Sequence, residues 1–191
     1  MKHIVYGTII CSLFSLLSAS DYLIEILREH QIIKMGEYTL KSGNTSPYYV
    51  DMRMVFSFPA IFDHIQQRLA EISQTIVYDR IAAVPYGAIP FATALALAVH
   101  KPFIMVRKEA KAYGMQKLIE GMYVAGERVL LIEDVMTTGS SILETIKQIE
   151  SQGLIVHDII VLFDRQEGGK EKLKSQGYTI HSMIDVSELA V

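Results

Sequence analysis

The chain has 191 residues, half of them hydrophobic and a fifth charged, with a formal net charge of −3. That is the profile of one folded globular domain with a proper core, and it gives no support to a broadly basic nucleic-acid or membrane-surface binder, so any anion site must come from locally clustered cations. One cysteine, Cys11, excludes an intramolecular disulfide, and the six histidines show no metal-ligand spacing, so no protein-held metal site is expected.

The chain opens with Met-Lys-His, an apolar run from Ile4 to Leu17 and then Ser18-Ala19-Ser20. A basic start, an apolar middle and small residues before a cut are the layout of a secretory signal. An extra strand or helix packed on the body, or an upstream extension of the chain, would read the same way. The run is short for a transmembrane helix. The expected division is an N-terminal extension over 1–19 and a single domain over 20–191.

Ser20 or Asp21 can cap a helix running to about Ile33, with Leu23, Ile24 and Leu27 as its apolar positions. Residues 38–50 contain Lys41-Ser42-Gly43-Asn44-Thr45-Ser46-Pro47, a turn between strand-like flanks. Ile61, Ile65, Leu69, Ile72 and Ile76 step by threes and fours and predict an amphipathic helix over 59–77.

An alternation follows. Strands are expected at 81–84, 103–106, 129–132, 155–163 and 178–183, and helices at 88–99, 141–152 and 169–175. The stretch from Arg107 to Gly121 is polar, without periodicity. Ser141 and Glu144 have capping-box spacing. Continuous apolar strands separated by helices predict an α/β fold with a mostly parallel central sheet flanked by helices. No repeat or linker divides the chain.

The most informative stretch is 129–141, Val-Leu-Leu-Ile-Glu-Asp-Val-Met-Thr-Thr-Gly-Ser-Ser. An apolar strand ends in two carboxylates, then a turn of hydroxyl residues and glycine leads into a helix. Acids accept hydrogen bonds from ribose hydroxyls, and a turn of small residues presents backbone N–H groups to a phosphate, backed by the helix start. No Gly-x-x-x-x-Gly-Lys is present, so this is no Walker loop. An ordinary strand–turn–helix with Asp134 as N-cap is the plain alternative.

Other segments add charge. Arg107, Lys108, Lys111 and Lys117, between Val106 and the hinge candidates Gly114 and Gly121, could form a cationic lid over a diphosphate, or a solvated charged loop. Residues 83–90, Ala-Val-Pro-Tyr-Gly-Ala-Ile-Pro, turn from strand to helix and could offer N–H groups to a phosphate. Lys41 with Tyr48 and Tyr49 could hold a flat anionic ring, or form a surface hairpin. Arg165, after the strand ending at Phe163, could grip a carboxylate or pair with Asp164 or Glu167.

Taken together, the segments resemble the orotate phosphoribosyltransferases, a branch of the type I phosphoribosyltransferases, over about 24–189. The likeness rests on Glu-Tyr-Thr-Leu-Lys-Ser-Gly at 37–43, Ser-Pro-Tyr-Tyr-Val-Asp at 46–51 and Val-Pro-Tyr-Gly-Ala-Ile-Pro at 84–90. Arg-Lys-Glu-Ala-Lys at 107–111, Lys-Leu-Ile-Glu-Gly at 117–121, the 129–141 stretch and Asp-Arg-Gln-Glu-Gly-Gly at 164–169 complete it. It is closer to the transferase half of the bifunctional UMP synthases, with too little chain to add a decarboxylase.

The resemblance implies the type I fold with a small N-terminal hood. It implies transfer of a phosphoribosyl group from phosphoribosyl pyrophosphate (PRPP) to orotate, giving orotidine 5′-monophosphate and pyrophosphate in UMP synthesis. Glu133 and Asp134 would hold the ribose hydroxyls, with Val135, Met136, Thr137, Thr138, Gly139, Ser140 and Ser141 carrying the chain around the 5′-phosphate. Lys41, Tyr86, Gly87, Arg107, Lys108, Lys111 and Tyr113 would complete the PRPP site. Lys41, Tyr49, Val50, Thr137 and Arg165 would surround orotate. Lys111, Arg107 and Asp134 would carry catalysis. Gly87 stands where a lysine often follows the tyrosine, and Tyr113 where a lid histidine often sits, which leaves Gly87 a backbone role at most.

Mg²⁺ would arrive on PRPP, held mainly by substrate oxygens and water. The resemblance also implies a homodimer whose lid reaches the partner's site, a cytoplasmic location, and neither nucleic acid nor membrane as partner. The rival readings are a purine phosphoribosyltransferase and a non-catalytic, PRPP-sensing regulator that binds nucleic acid. The Lys41 and Arg165 pair disfavours the first, and the net charge the second.

Overall fold

Three strands made mostly of buried residues, at 80–83, 128–136 and 155–164, set the frame. In the computed structural model, which describes residues 19–39, 45–108 and 118–189, these residues fall into two compact units, a smaller one up to Asp51 joined by Glu188 and Leu189, and a larger one between Met52 and Ser187.

In the smaller unit, helix α1 (Ala19–Glu29) buries Leu23, Ile24 and Leu27, the apolar positions that the sequence indicates. It stops short of Ile33. Gln31 takes a left-handed φ of 57°, and the Ile32 N–H closes back on the Leu27 carbonyl at 2.8 Å. That turn redirects the backbone, so Ile33 opens strand β1 (Ile33–Thr39) instead of ending a helix. β1 pairs antiparallel with β2 (Thr45–Val50), from Ile33↔Val50 to Thr39↔Thr45. Alternation along β2 buries Ser46, Tyr48 and Val50 and leaves Tyr49 exposed.

In the larger unit, a 3₁₀ segment (Met52–Ser57) leads to α2 (Pro59–Ser73), with a proline in its first turn and Ile61, Ile65 and Leu69 buried. α2 ends before the predicted 77. The Thr75 and Ile76 N–H groups bond three residues back, to the Ile72 and Ser73 carbonyls, and the helix tightens out of α geometry. Then come β3 (Arg80–Ala83), α3 (Ile89–Ala98), β4 (Phe103–Val106), β5 (Ile119–Glu120), β6 (Arg128–Met136), α4 (Ser140–Glu150), β7 (Ile155–Asp164), α5 (Gly169–Lys174) and β8 (Thr179–Asp185).

The sheet order is β5-β4-β3-β6-β7-β8, parallel except for β5 on β4. β5 falls where only a polar segment was expected. It is short, and Ile119 is buried while pairing with Val106.

On one face α4 presents Ile142, Ile146 and Ile149, and α5 presents Leu173. They pack on the alternate strand residues Ala82, Ile104, Val129, Leu131, Ile159 and Val161. Each buried isoleucine contributes about 1.5–3 kcal/mol. On α2, α3 and the 3₁₀ segment, Phe56, Phe62 and Phe91 form an aromatic cluster with centroids 5.1–6.0 Å apart. Among the described residues, no helix is long and apolar enough to cross a membrane.

The winding of the sheet reverses at β3. From there the chain passes one way to β4, then crosses back to β6 on the other side of β3 and continues away to β7 and β8. The carboxyl ends of β3 and β6 therefore flank a topological switch point, the place where open α/β sheets bind ligands.

Candidate active site

β6 is paired unequally. On the β3 side the register ends at Ala83↔Ile132, with one further bond from the Val84 N–H to the Ile132 carbonyl at 2.9 Å. On the β7 side it continues to Met136↔Asp164. Strand β6 therefore runs past the predicted end at 132, because β7 supports it on one flank. Glu133, Asp134, Val135 and Met136 are strand residues at the switch point. Asp134 is not a helix N-cap: α4 starts at Ser140 after Gly139, whose φ is +70°, and no side chain caps it. Ser141 and Glu144 lie inside the helix, so their capping-box spacing makes no cap.

The two acids differ. Glu133 is buried and its Oε1 accepts the Asp134 N–H at 3.1 Å. Burial, reinforced by the neighbouring Asp134 carboxyl, pushes Glu133 well above the ordinary carboxylate range, with Lys108 opposing. Asp134 is half-buried and lies against the turn after β3. A β-carbon at Gly87 would stand 2.1 Å from Asp134 Oδ2. The glycine thus has a definite role in making room for the acid. The Pro85–Tyr86 peptide in the same turn is cis.

Beyond β6 lies the hydroxyl turn. Thr138 and Ser140 meet through their hydroxyls at 3.0 Å, and Thr138, Ser140 and Ser141 are exposed. A cavity of about 50 Å³ is lined by Glu133, Val135, Met136 and residues 137–141. Met136 is 1% exposed and belongs to the core, so its side chain anchors the turn while its main chain stays with the site. A second cavity, of about 250 Å³, is lined by Val84, Pro85, Lys108, Ser141, Glu144, Thr145 and Gln148.

The segment after β7 braces this turn. The Arg165 N–H donates to the Met136 carbonyl at 3.0 Å, and the Gly169 N–H to the Thr137 carbonyl at 3.1 Å. A β-carbon on Gly169 would lie 2.4 Å from that Thr137 oxygen, and one on Gly139 would lie 3.1 Å from Leu173 Cδ1. At Gly169 only a residue without a side chain allows so close an approach to backbone, and at Gly139 the φ of +70° favours glycine. Sequence reasoning assigns Gly169 no role; a glycine pair opening a helix directly after a strand end is the signal for it.

Among the remaining candidates, Lys108 holds its ammonium 5.2 Å from the centroid of the exposed Tyr86 ring. Arg107 pairs with Glu120 at 3.3 Å, each about a third exposed, so β5 supplies a carboxylate that orients the first lid cation. Arg165 is nearly buried and its Nε pairs with Glu167 at 2.8 Å. Tyr86, Gly87, Arg107, Lys108, the 133–141 stretch and Arg165 all follow the carboxyl ends of the larger unit's parallel strands. Tyr49 and Val50 belong to the smaller unit's hairpin, and the burial of the Val50 side chain leaves its main chain for any ligand. Lys41, Lys111 and Tyr113 lie outside the described residues, as do Lys117 and most of the proposed lid.

A family model, the phosphoribosyl transferase domain, matches residues 52–187. The chain belongs to the phosphoribosyl transferase family. The matched stretch coincides with the larger unit. Among curated phosphoribosyl transferases, the orotate phosphoribosyltransferase of Methanothermobacter thermautotrophicus is 42% identical over 166 residues, covering 87% of this chain and 91% of that protein. That places the chain in the orotate branch. Uridine 5′-monophosphate synthase of Caenorhabditis elegans is 40% identical over 86% of this chain, which spans only 34% of that protein. The chain thus spans about a third of the length of such bifunctional relatives. Among solved structures, orotate phosphoribosyltransferase from Mycobacterium tuberculosis, in complex with PRPP, superposes with a TM-score of 0.73 at 28% identity, covering 91% of this chain and all of that one. The type I phosphoribosyltransferase fold, with its mostly parallel flanked sheet, is as expected.

Proposed function

We propose that this protein transfers the 5-phosphoribosyl group from PRPP to orotate, giving orotidine 5′-monophosphate and pyrophosphate in UMP biosynthesis. The observation that carries the reading is the pairing of a buried acid and a half-buried acid, Glu133 and Asp134, with the glycine-braced hydroxyl turn that directly follows them at the switch point. Glu133 and Asp134 would take the ribose hydroxyls and residues 137–141 the 5′-phosphate.

The chemistry is a displacement at the anomeric carbon. Pyrophosphate leaves with its bonding pair, the orotate ring nitrogen adds through an oxocarbenium-like state, and the proton that this nitrogen carried passes to the departing pyrophosphate or to solvent. No protein nucleophile is required. The chain's work is to position both substrates and to stabilise charge on the leaving group, with Arg107, Lys108 and Lys111 as the cations for that end. Arg165 is the proposed grip on the orotate carboxylate. Its Nε lies 2.8 Å from Glu167, the ion pair that the plain alternative named, so a grip on the orotate carboxylate is assigned to the outer nitrogens of the guanidinium. Lys41, Tyr49 and Val50 are the smaller unit's candidates for the base.

Mg²⁺ is the proposed companion of PRPP. Asp134 is a hard oxygen donor of the type this ion takes, so the residues present fit an ion that keeps most of its contacts to substrate and water. When bound it would offset diphosphate charge. A homodimer with a shared lid and a cytoplasmic location complete the proposal.

The deciding experiment is pyrophosphate release from PRPP with orotate, adenine or hypoxanthine as acceptor. Orotate-dependent release with formation of orotidine 5′-monophosphate is expected. Release with a purine alone, or with none of the three, overturns the assignment.

A further inference from the structure

α5 touches the hydroxyl turn at three successive points. Gly169 bonds the Thr137 carbonyl, Leu173 closes on Gly139, and between them Lys172 reaches outward with its Nζ 3.4 Å from Ser140 Oγ. Ser140 is the residue whose hydroxyl meets that of Thr138. The neighbouring lysine behaves differently. Lys170 Nζ turns to Ser182 at 3.0 Å and Asp185 at 3.4 Å, so it ties α5 to β8. The helix therefore uses one lysine to fix itself and aims the other at the turn.

We propose that Lys172 is a binding residue for the 5′-phosphate of PRPP, a role that rests on the phosphoribosyl reading above. Backbone N–H groups and hydroxyls offer a phosphate dipoles but no net charge. A phosphomonoester carries between one and two negative charges near neutral pH, and an ammonium on a flexible stem can follow it as a point charge. Lys108 reaches the cavity beside Ser141, so cations from two different elements flank the turn. Lys108 is shared with the diphosphate end in the proposed reaction, whereas Lys172 faces the phosphate turn alone. It lies outside every block that carries the family resemblance, and its exposure makes its replacement harmless to the core.

The test compares parent, Lys172→Ala and Lys172→Arg in steady-state kinetics and in calorimetric titration with ribose 5-phosphate and with pyrophosphate. Lys172→Ala is expected to raise the KM for PRPP and weaken ribose 5-phosphate binding about tenfold, with the orotate KM and pyrophosphate binding within about twofold of the parent. Lys172→Arg should recover most of the loss. An unchanged PRPP KM with unchanged ribose 5-phosphate binding overturns the proposal, and so does an equal weakening of ribose 5-phosphate and pyrophosphate. If the parent transfers nothing to orotate, the reaction assignment fails by itself, and the ribose 5-phosphate titration still decides the role of Lys172.

Discussion

Gly87 and Asp134 occupy one space: the volume that a side chain at 87 would need is filled by the carboxylate of Asp134, 2.1 Å from an added β-carbon. The absence of a lysine here is thus tied to the position of the acid. Gly87→Ala must rotate Asp134 away from its present direction. An off-rotamer side chain costs about 0.5–1.5 kcal/mol, and a lost hydrogen bond to a charged group about 1.5–3 kcal/mol. The KM for PRPP should rise at least several-fold while that for orotate holds. A variant with parental PRPP kinetics would show that Asp134 does not need its present position.

Glu133 links pH to stability. Its pKa is raised in the fold by burial and by the Asp134 carboxyl. Between the ordinary glutamate range and that raised value, the folded chain keeps a proton that the unfolded chain has lost. Stability from this group is therefore present at low pH and falls as pH rises through the window. Glu133→Gln cannot titrate and keeps an oxygen for the Asp134 N–H. It should be more stable than the parent above the window and should lose PRPP affinity. Melting temperatures of both proteins across pH are the measurement; parallel curves would refute the burial argument.

Gly169→Ala tests the brace. Its β-carbon would press on the Thr137 carbonyl at 2.4 Å and the Gly139 nitrogen at 2.9 Å, both backbone atoms with little freedom to give way. A loss of about 1–3 kcal/mol in stability is expected, as for other overpacked sites, together with a raised PRPP KM. Denaturant unfolding and kinetics on the same sample would show whether the two effects travel together.

Arg165 and Lys111 separate the two ends of the reaction. Arg165→Ala should raise the orotate KM strongly and spare PRPP binding; an unchanged orotate KM would move the carboxylate grip elsewhere. Lys111→Ala should lower kcat about a hundredfold or more, the usual loss when one charge-stabilising donor is removed, which is roughly 2.7–4 kcal/mol. If lids are exchanged in a dimer, an equal, reassorted mixture of Lys111→Ala with Asp134→Ala should recover about a quarter of parental turnover overall, because about half of the dimers are mixed and each of those re-forms one intact site of its two. Mixtures no more active than the separate variants would argue for lids that serve their own chain.

The sheet was legible because its strands are short apolar runs between helical periods, and residues 103–106 form a strand with the predicted limits. Boundaries slipped where a tertiary partner or a single backbone angle decided them. β7 carried β6 past Ile132, and Gln31 turned a helix into a strand before Ile33. β5 was hidden because two residues leave no periodicity and Leu118 to Glu120 follow a charged stretch. The acids and hydroxyls of the site were legible from their chemistry. The brace by Gly169 and the reach of Lys172 were not, since both depend on α5 folding back beside a turn that lies well before it in the chain.

The unequal pairing of β6 also bears on what can approach the site. A strand flank without a neighbour normally invites another chain to add itself. Here the unpaired flank of 133–136 is the second half of a strand whose first half is interior, walled by the turn after β3 on one side and by β7 on the other. Only four residues lie on that flank, and the Asp134 carboxylate lies against Gly87 of the turn beside it, so a small ligand suits the place better than a strand of ordinary length.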